Sequence, residues 1–589
     1  MSTLNADSEY LNACPLDELR QKGQIVVHGH DRPVVLFFND GDVRAVDNRC
    51  PHLGFPLHRG TIKDGMITCH WHHARFDACS GGTFDLWADD VPAYEVRIRQ
   101  GQVFVSAAPR SIDPLEHGFQ RLRDGMEHNI GLIIAKAILT LRSAGVDTAQ
   151  IVREAALFGA RHRDGWSMGL TILTAMANLL PHLKEQTAYL ALYQGIRRTA
   201  TDCADQVPHR RRLPLASDEL DPDKLDRWMH YWTMVRHRDG AERTLLSAIE
   251  NPAIQPQAST FVLGSAVDRF YADGGHLLDF CNKVDELLDL IGHEHGRTML
   301  PTLAGQLVGA RGGEESNAWR HPIDLVPLVN SLSTRLGQFI DEGSDRSWSD
   351  EARLADAMLG DDPQLILDAI AHAIQAGAKP PQLAKALAYA SAMRVAWFGT
   401  ANEISDWVAA LHSFSYCHAL HQAIKRRPSP LLVRGVLHGA MSIYLNRFLN
   451  VPKAKLPGPR RPAADLPSDG AALLADFLEA LNRQQQVERC ADIVAHYIDL
   501  GHPIDELFDT FVLAGVREDA DFHTLQMVEA GIRQYHEWGP GPQATHILIA
   551  IARYLAAHCP TPRAQLQTAR IALRLHRGER IYEEEGSDG

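Results

Sequence analysis

The chain has 589 residues, 45% of them hydrophobic and 22% charged, with a formal net charge of −14. That length allows several domains, the acidity argues against a nucleic-acid polyanion as the main partner, and no apolar run reaches the roughly 18 residues of a membrane span. Nine cysteines without disulfide-framework spacing, and an opening segment without an apolar run, predict a cytoplasmic protein.

From Gln24 to Val105 the texture is β. The β-branched runs "QIVVHG", "PVVLFF", "DVRAVD", "MITCHW", "YEVRIR" and "QVFVSA" are separated by the turn signals "NDGD", "KDG", "CSGG" and "RQG". This predicts a small all-β domain over 1–108. Within it Cys50-Pro-His52 and Cys69-His-Trp-His72 form C-x-H and C-x-x-H pairs, separated by 16 residues. Two thiolates and two imidazoles can hold zinc. Zinc-finger pairs, however, sit on a β-ribbon and a helix, and the surrounding all-β texture does not fit that frame.

The run resembles a Rieske motif, in which one iron of a [2Fe–2S] cluster takes two Cys and the other two His. The resemblance covers about residues 15–108 and includes "NRCPHLG" and "ARFD". It implies Cys50, His52, Cys69 and His72 as the cluster ligands and leaves His58, His70 and His73 spare. Respiratory Rieske proteins add a cysteine to each loop, and the matching positions here are Phe55 and Trp71. They also place Ser and Tyr hydroxyls near the cluster, where this chain has Ala74 and Phe76. Fewer hydrogen bonds to the cluster predict a low-potential, ferredoxin-like centre.

A polar connector, "SAAPRSIDPLE", leads through a linker at 109–120 into helical periodicity that runs to about 576. An acidic tail follows at 577–589. Ring-hydroxylating Rieske oxygenases continue with an α/β catalytic domain carrying roughly D-x-x-H-x-x-x-x-H. No such run occurs here, and the nearest, "DLIGHEHG", has the wrong spacing. Instead, four segments share a helix, a break at Gly145, Asn251, Gly377 or Gly501, and a second helix. Each is followed by a third helix, near 169, 276, 412 and 523. The expected architecture is a large all-α domain of stacked helical repeats over 121–576, in pseudo-halves of about 121–345 and 360–576.

The repeat places histidine at one position, the start of the third helix, in three copies: His276, His412 and His523. The first copy has Gly169. His438 lies in a Gly-flanked helix, "GVLHGAM". These four histidines are the candidate ligands of a non-haem Fe(II), which suits imidazole donors. His162, His293, His295, His418 and His421 are further candidates. Among 30 histidines some such coincidences are structural. Three patches, "RPSPLLVRGVLHGAMSIYLNRF", "DADFHTLQMVEAGIRQYHEWG" and "GGHLLDFCNKVDELLDLIG", resemble helices of questin oxidase-like proteins. That family is helical and opens polycyclic aromatic quinones with O₂. This chain departs from it at Gln526, where the family has lysine, and in lacking the proline after the first histidine.

The expected function is a two-part oxygenase, an oxidoreductase in which the cluster passes electrons to a histidine-bound iron for O₂-dependent oxidation of an apolar, aromatic small molecule. No dinucleotide or flavin fingerprint is visible, so an external reductase or ferredoxin is the expected donor. No nucleic-acid or membrane partner is expected. The alternative is an electron-transfer or redox-sensing Rieske module on a helical scaffold without its own metal. E-x-x-H pairs of a di-iron bundle are absent from the sequence.

Overall fold

The computed structural model describes residues 10–28, 32–110, 113–210, 212–217, 219–458, 465–579 and 581. The chain divides into two compact units, one holding the chain up to Ile151 together with Gln567 onward, the other Val152–Leu566. No helix among the described residues is long and apolar enough to cross a membrane.

The first unit contains a small all-β domain of three antiparallel sheets. One joins β1 (Tyr10–Pro15), β10 (Gln102–Ser106) and β9 (Val96–Arg99). The second runs β2 (Gln24–Val27), β3 (Val34–Asn39), β4 (Asp42–Asp47) and β8 (Ala93–Tyr94). The third is β5 (Thr61–Lys63), β6 (Met66–Thr68) and β7 (Arg75–Asp77). Three hairpins close on two-residue turns, Asp40-Gly41, Asp64-Gly65 and Gln100-Gly101, with φ of 54° and 87°, 52° and 75°, and 49° and 78°. Positive φ at both turn residues matches the right-handed twist of the strands. A short helix, Leu16–Lys22, ends at Gly23.

The expected linker at 109–120 is largely helix. Asp113 caps the helix Pro114–Glu127 by accepting from the Leu115 N–H, and Pro114 occupies its first turn. A composition-based reading sees the polarity of "SIDPLE" and misses its helix-start signature. This helix pairs with Gly131–Ser143, and both belong to the unit that holds the β domain rather than to the remaining helices. Of the acidic tail at 577–589, residue 580 and residues 582–589 lie outside the described residues.

The second unit is helical. Sequence-adjacent helices pack as hairpins: Met168–Leu179 with Glu185–Cys203, Pro380–Ala396 with Ile404–Arg426, and Phe522–Trp538 with Pro542–His558. The third helices of the four sequence repeats then close a ring. Met168–Leu179 packs on His276–Ile291, which packs on Ile404–Arg426, which packs on Phe522–Trp538, which returns to Met168–Leu179. Helices from both expected halves therefore share one four-helix bundle, which nearest-neighbour stacking of repeats does not produce.

Candidate functional site

In the β domain, Cys50 and His52 lie on the loop after β4, and Cys69 and His72 on the loop between β6 and β7. The two loops are closed by the same pair of backbone bonds. The Cys50 N–H donates to the Phe55 oxygen at 2.8 Å and the Gly54 N–H to the Cys50 oxygen at 2.8 Å; the Cys69 N–H donates to Ala74 at 2.8 Å and the His73 N–H to Cys69 at 3.0 Å. The turn needs a left-handed residue, supplied by Gly54 (φ 88°) in one loop and His73 (φ 64°) in the other. Both cysteines are buried, and the His52 and His72 rings stand edge to face with centroids 4.9 Å apart.

The hydrogen bond between the two thiols lowers Cys69 to about 6 and raises Cys50. Burial, then the nearby His72 and Lys136, lowers His52 to about 4, so its ring is neutral. Its Nδ1 is buried and has no hydrogen-bond partner among the described residues. A buried orphan ring nitrogen beside two buried thiols fits a group that takes sulfur and nitrogen donors together. At the positions where a disulfide would join the loops, the rings of Phe55 and Trp71 lie 6.1 Å apart instead. Ala74 and Phe76, which lack hydroxyls, are fully buried beneath.

The helical unit brings together three of its four candidate histidines. One ring nitrogen from each of His276, His412 and His523 lies within 4.8 Å of the others. His412 Nε2 and His523 Nε2 are 2.9 Å apart, and the His276 and His412 ring centroids 4.4 Å. His523 Nδ1 is held by Asp521 Oδ2 at 3.0 Å, which turns Nε2 toward the other two rings. Burial and the neighbouring imidazoles lower His276 to about 4 and His412 to about 3. Both are therefore neutral and able to donate a lone pair near neutral pH. His276 opens its helix and follows a left-handed run, Tyr271 (φ 45°), Asp273 (φ 54°), Gly274 (φ 64°) and Gly275 (φ 95°). His412 is not at a helix start as expected but in the ninth position of Ile404–Arg426. Gly169, its counterpart in the first repeat, is not an open ligand position: a Cβ there would lie 2.5 Å from the Thr199 nitrogen, so the glycine serves helix contact.

His438 does not join this group. It is fully buried with its ring 4.7 Å from Phe270, and neither ring nitrogen has a partner among the described residues. Farther along the bundle, Glu286, His418 and Glu529 also approach within 4.8 Å. Their carboxylates are already claimed. Lys283 Nζ lies 2.8 Å from Glu286 and 2.9 Å from Glu529, Arg533 binds both, Arg426 binds Glu286 at 3.1 Å, and Asn178 donates to each at 2.9 Å. Side chains from all four bundle helices meet there, so the cluster is a structural tie. His162, His293, His295 and His421 are outside both groups.

Beside the triad lies a cavity of about 460 Å³. His412 forms part of its wall, with Tyr271, Trp319, Tyr444, Phe448 and Arg447.

Comparison with known proteins bears on the β domain. The family described as "Rieske [2Fe-2S] domain" matches residues 9–95. Residues 9–95 are a Rieske [2Fe–2S] domain. The Rieske domain is 35% identical over 79 residues to the human "Rieske domain-containing protein", covering 12% of this chain and 50% of that one. It is 31% identical over 80 residues to human "Apoptosis-inducing factor 3", covering 13% of each chain. It is 26% identical over 97 residues to the "Naphthalene 1,2-dioxygenase/salicylate 5-hydroxylase systems, ferredoxin component" of Ralstonia sp, covering 16% of this chain and 93% of that one. The chain thus spans half or less of the two human relatives.

Several side chains around these sites were not singled out from the sequence. Lys136 donates to the backbone oxygens of Pro51 and His52, and the Trp87 ring sits 4.8 Å from His52. Asp521 and Arg447 were equally silent. Only Asp521 carries a signal, as the helix cap two residues before a histidine.

Proposed function

We propose that this chain is a Rieske-fed non-haem iron oxygenase, an oxidoreductase acting on an aromatic small molecule. The observation that carries the reading is the convergence of His276, His412 and His523, with His276 and His412 kept neutral by burial, beside a cavity walled by aromatic rings. Cys50, Cys69, His52 and His72 hold the [2Fe–2S] cluster in this reading. Iron held by the three histidines supplies the one-electron chemistry that O₂ activation needs, and the cluster supplies single electrons. Imidazoles also suit zinc, but a redox-inert ion makes no use of an attached electron carrier.

The chain's own side chains do the rest. Asp521 fixes the tautomer and orientation of His523. Tyr271 and Trp319 give the cavity flat apolar walls, their rings 6.4 Å apart and inclined by 28°. Ser442 and Asn446 also line the cavity, where both bond to Ser413. The Ralstonia ferredoxin belongs, by its name, to a dioxygenase and hydroxylase system, which supports a reductase or ferredoxin as the electron donor.

The test is iron and acid-labile sulfide per chain in the full-length protein. One iron beyond the cluster's two is expected. No iron beyond the cluster returns the helical unit to the role of a scaffold.

A further inference from the structure

The cavity beside His412 carries one feature that an apolar substrate does not require. Arg447 is on its wall, and no Asp or Glu is. The guanidinium carbon lies 3.8 Å from the centroid of Tyr444 and 4.1 Å from that of Phe448, so the group rests against both rings. One of its nitrogens donates to the Tyr444 backbone oxygen at 2.9 Å. It has no ion-pair partner among the described residues, unlike Arg269, Arg320, Arg434, Arg517 and Arg553. A half-buried cation without a counter-ion, held rigid against aromatic faces, is pre-organised for a planar anion, since the guanidinium fork matches carboxylate geometry. The same cavity is also lined by the rings of Trp319 and Tyr271. Ser442, on the helix Val433–Leu445, and Ser413, on Ile404–Arg426, bond at 2.5 Å and Asn446 donates to Ser413 at 2.8 Å, leaving those polar groups internally satisfied.

We propose that this cavity takes an aromatic substrate bearing an anionic oxygen, a carboxylate or a phenolate, and that Arg447 binds that oxygen while the ring lies toward His412. The proposal rests on the cavity being the substrate site of the oxygenase proposed above. Arg447 is then a specificity-determining residue, because a neutral arene of the same shape leaves its N–H groups unpaired.

The experiment is calorimetric titration of the full-length protein with 2-naphthoate, with 4-nitrophenolate, and with the neutral isostere 2-naphthamide, alongside iron analysis of the same sample. At least one anion is expected to bind about tenfold more tightly than the amide. Arg447→Gln is expected to erase that preference, and Arg447→Lys to keep part of it. Naphthoate against nitrophenolate tells which oxygen acid fits. If neither anion outbinds the amide in the wild-type protein, or if Arg447→Gln keeps the preference, the proposal is overturned. The iron count separates this from the oxygenase reading: an anion preference without iron beyond the cluster keeps the anion site and removes the oxygenase.

Discussion

The two histidine-bearing centres of this protein are built on opposite plans. In the Rieske domain the proposed cluster ligands come from two short loops, each folded by the same pair of backbone bonds, between Cys50 and His72. In the helical unit three histidines come from three helices drawn from across the chain, and only the closing of a four-helix ring brings them together. Loops braced by local hydrogen bonds can be assembled by a short segment almost alone. A centre made of one side chain per helix inherits its geometry from everything that packs the bundle. The second plan therefore needs a device that holds the helices in register, and the Lys283–Glu286–Glu529–Arg533 tie is placed to do that.

The sharpest break of this comparison is Cys69→Ser. It is expected to abolish the cluster's visible absorption and all reductase-driven turnover while leaving iron in the helical unit at the wild-type level. Iron lost from both centres together would show that the two plans are not independent. Next in size are His276→Ala, His412→Ala and His523→Ala, each expected to lose most of the non-cluster iron. His438→Ala and His418→Ala are expected to keep it, because neither ring belongs to the triad. Asp521→Asn should weaken iron binding by about 10–100-fold, the usual cost of losing a carboxylate behind a ligating histidine. Equal iron loss in His418→Ala and His523→Ala would place the metal in the other cluster.

The difference between the plans is also the difference in what the sequence discloses. The resemblance to a Rieske motif is carried by one short run, and Asp40-Gly41, Asp64-Gly65 and Gln100-Gly101 announce three hairpins of that domain. The histidine triad is legible only through the repeat: the third helix of each copy joins one bundle, so an equivalent position becomes a shared place. The Gly-flanked helix is a weaker sign: the glycines beside His438 pack closely against Leu420, Cys417 and Leu387. The repeat itself fails at Gly169, where contact with Thr199 decides the residue. Arg447, Asn178 and Lys283 leave no trace in the sequence, since each reads as an ordinary helix residue until its distant partners are known.

The tie itself gives a prediction of intermediate size. Lys283 is fully buried between Glu286 and Glu529. Lys283→Met leaves two buried carboxylates short of a cation and should cost about 3–5 kcal/mol in the helical unit's stability, read by thermal unfolding. Burial pushes both carboxyls up, but Arg533 and Lys283 outweigh it and hold them well below the usual carboxylate range. Their stabilisation is therefore fully present above the unfolded value of about 4.3 and fades as pH falls toward the depressed folded values. In Lys283→Met the depression shrinks, so the loss on acidification is smaller and starts from a lower plateau. A variant with wild-type stability at neutral pH would deny the tie its role.

The smallest expected effect lies back in the Rieske domain. The two cluster loops require a left-handed residue at matching positions, and only one of them uses glycine. His73 holds φ at 64° with a full side chain, while Gly54 takes 88° in the other loop. A left-handed L-residue costs roughly 1–2 kcal/mol, whereas glycine there costs mainly unfolded-state entropy, about 0.5–1 kcal/mol. His73→Gly should therefore stabilise the Rieske domain by up to about 1 kcal/mol, with cluster content and absorption unchanged, because the imidazole ligand proposed for that loop is His72. The measurement is thermal unfolding of the cluster-loaded protein followed by visible absorption. Destabilisation or cluster loss in His73→Gly would mean that the His73 ring, and not only its backbone, supports the loop, and the equivalence of the two loops would then end at their hydrogen bonds.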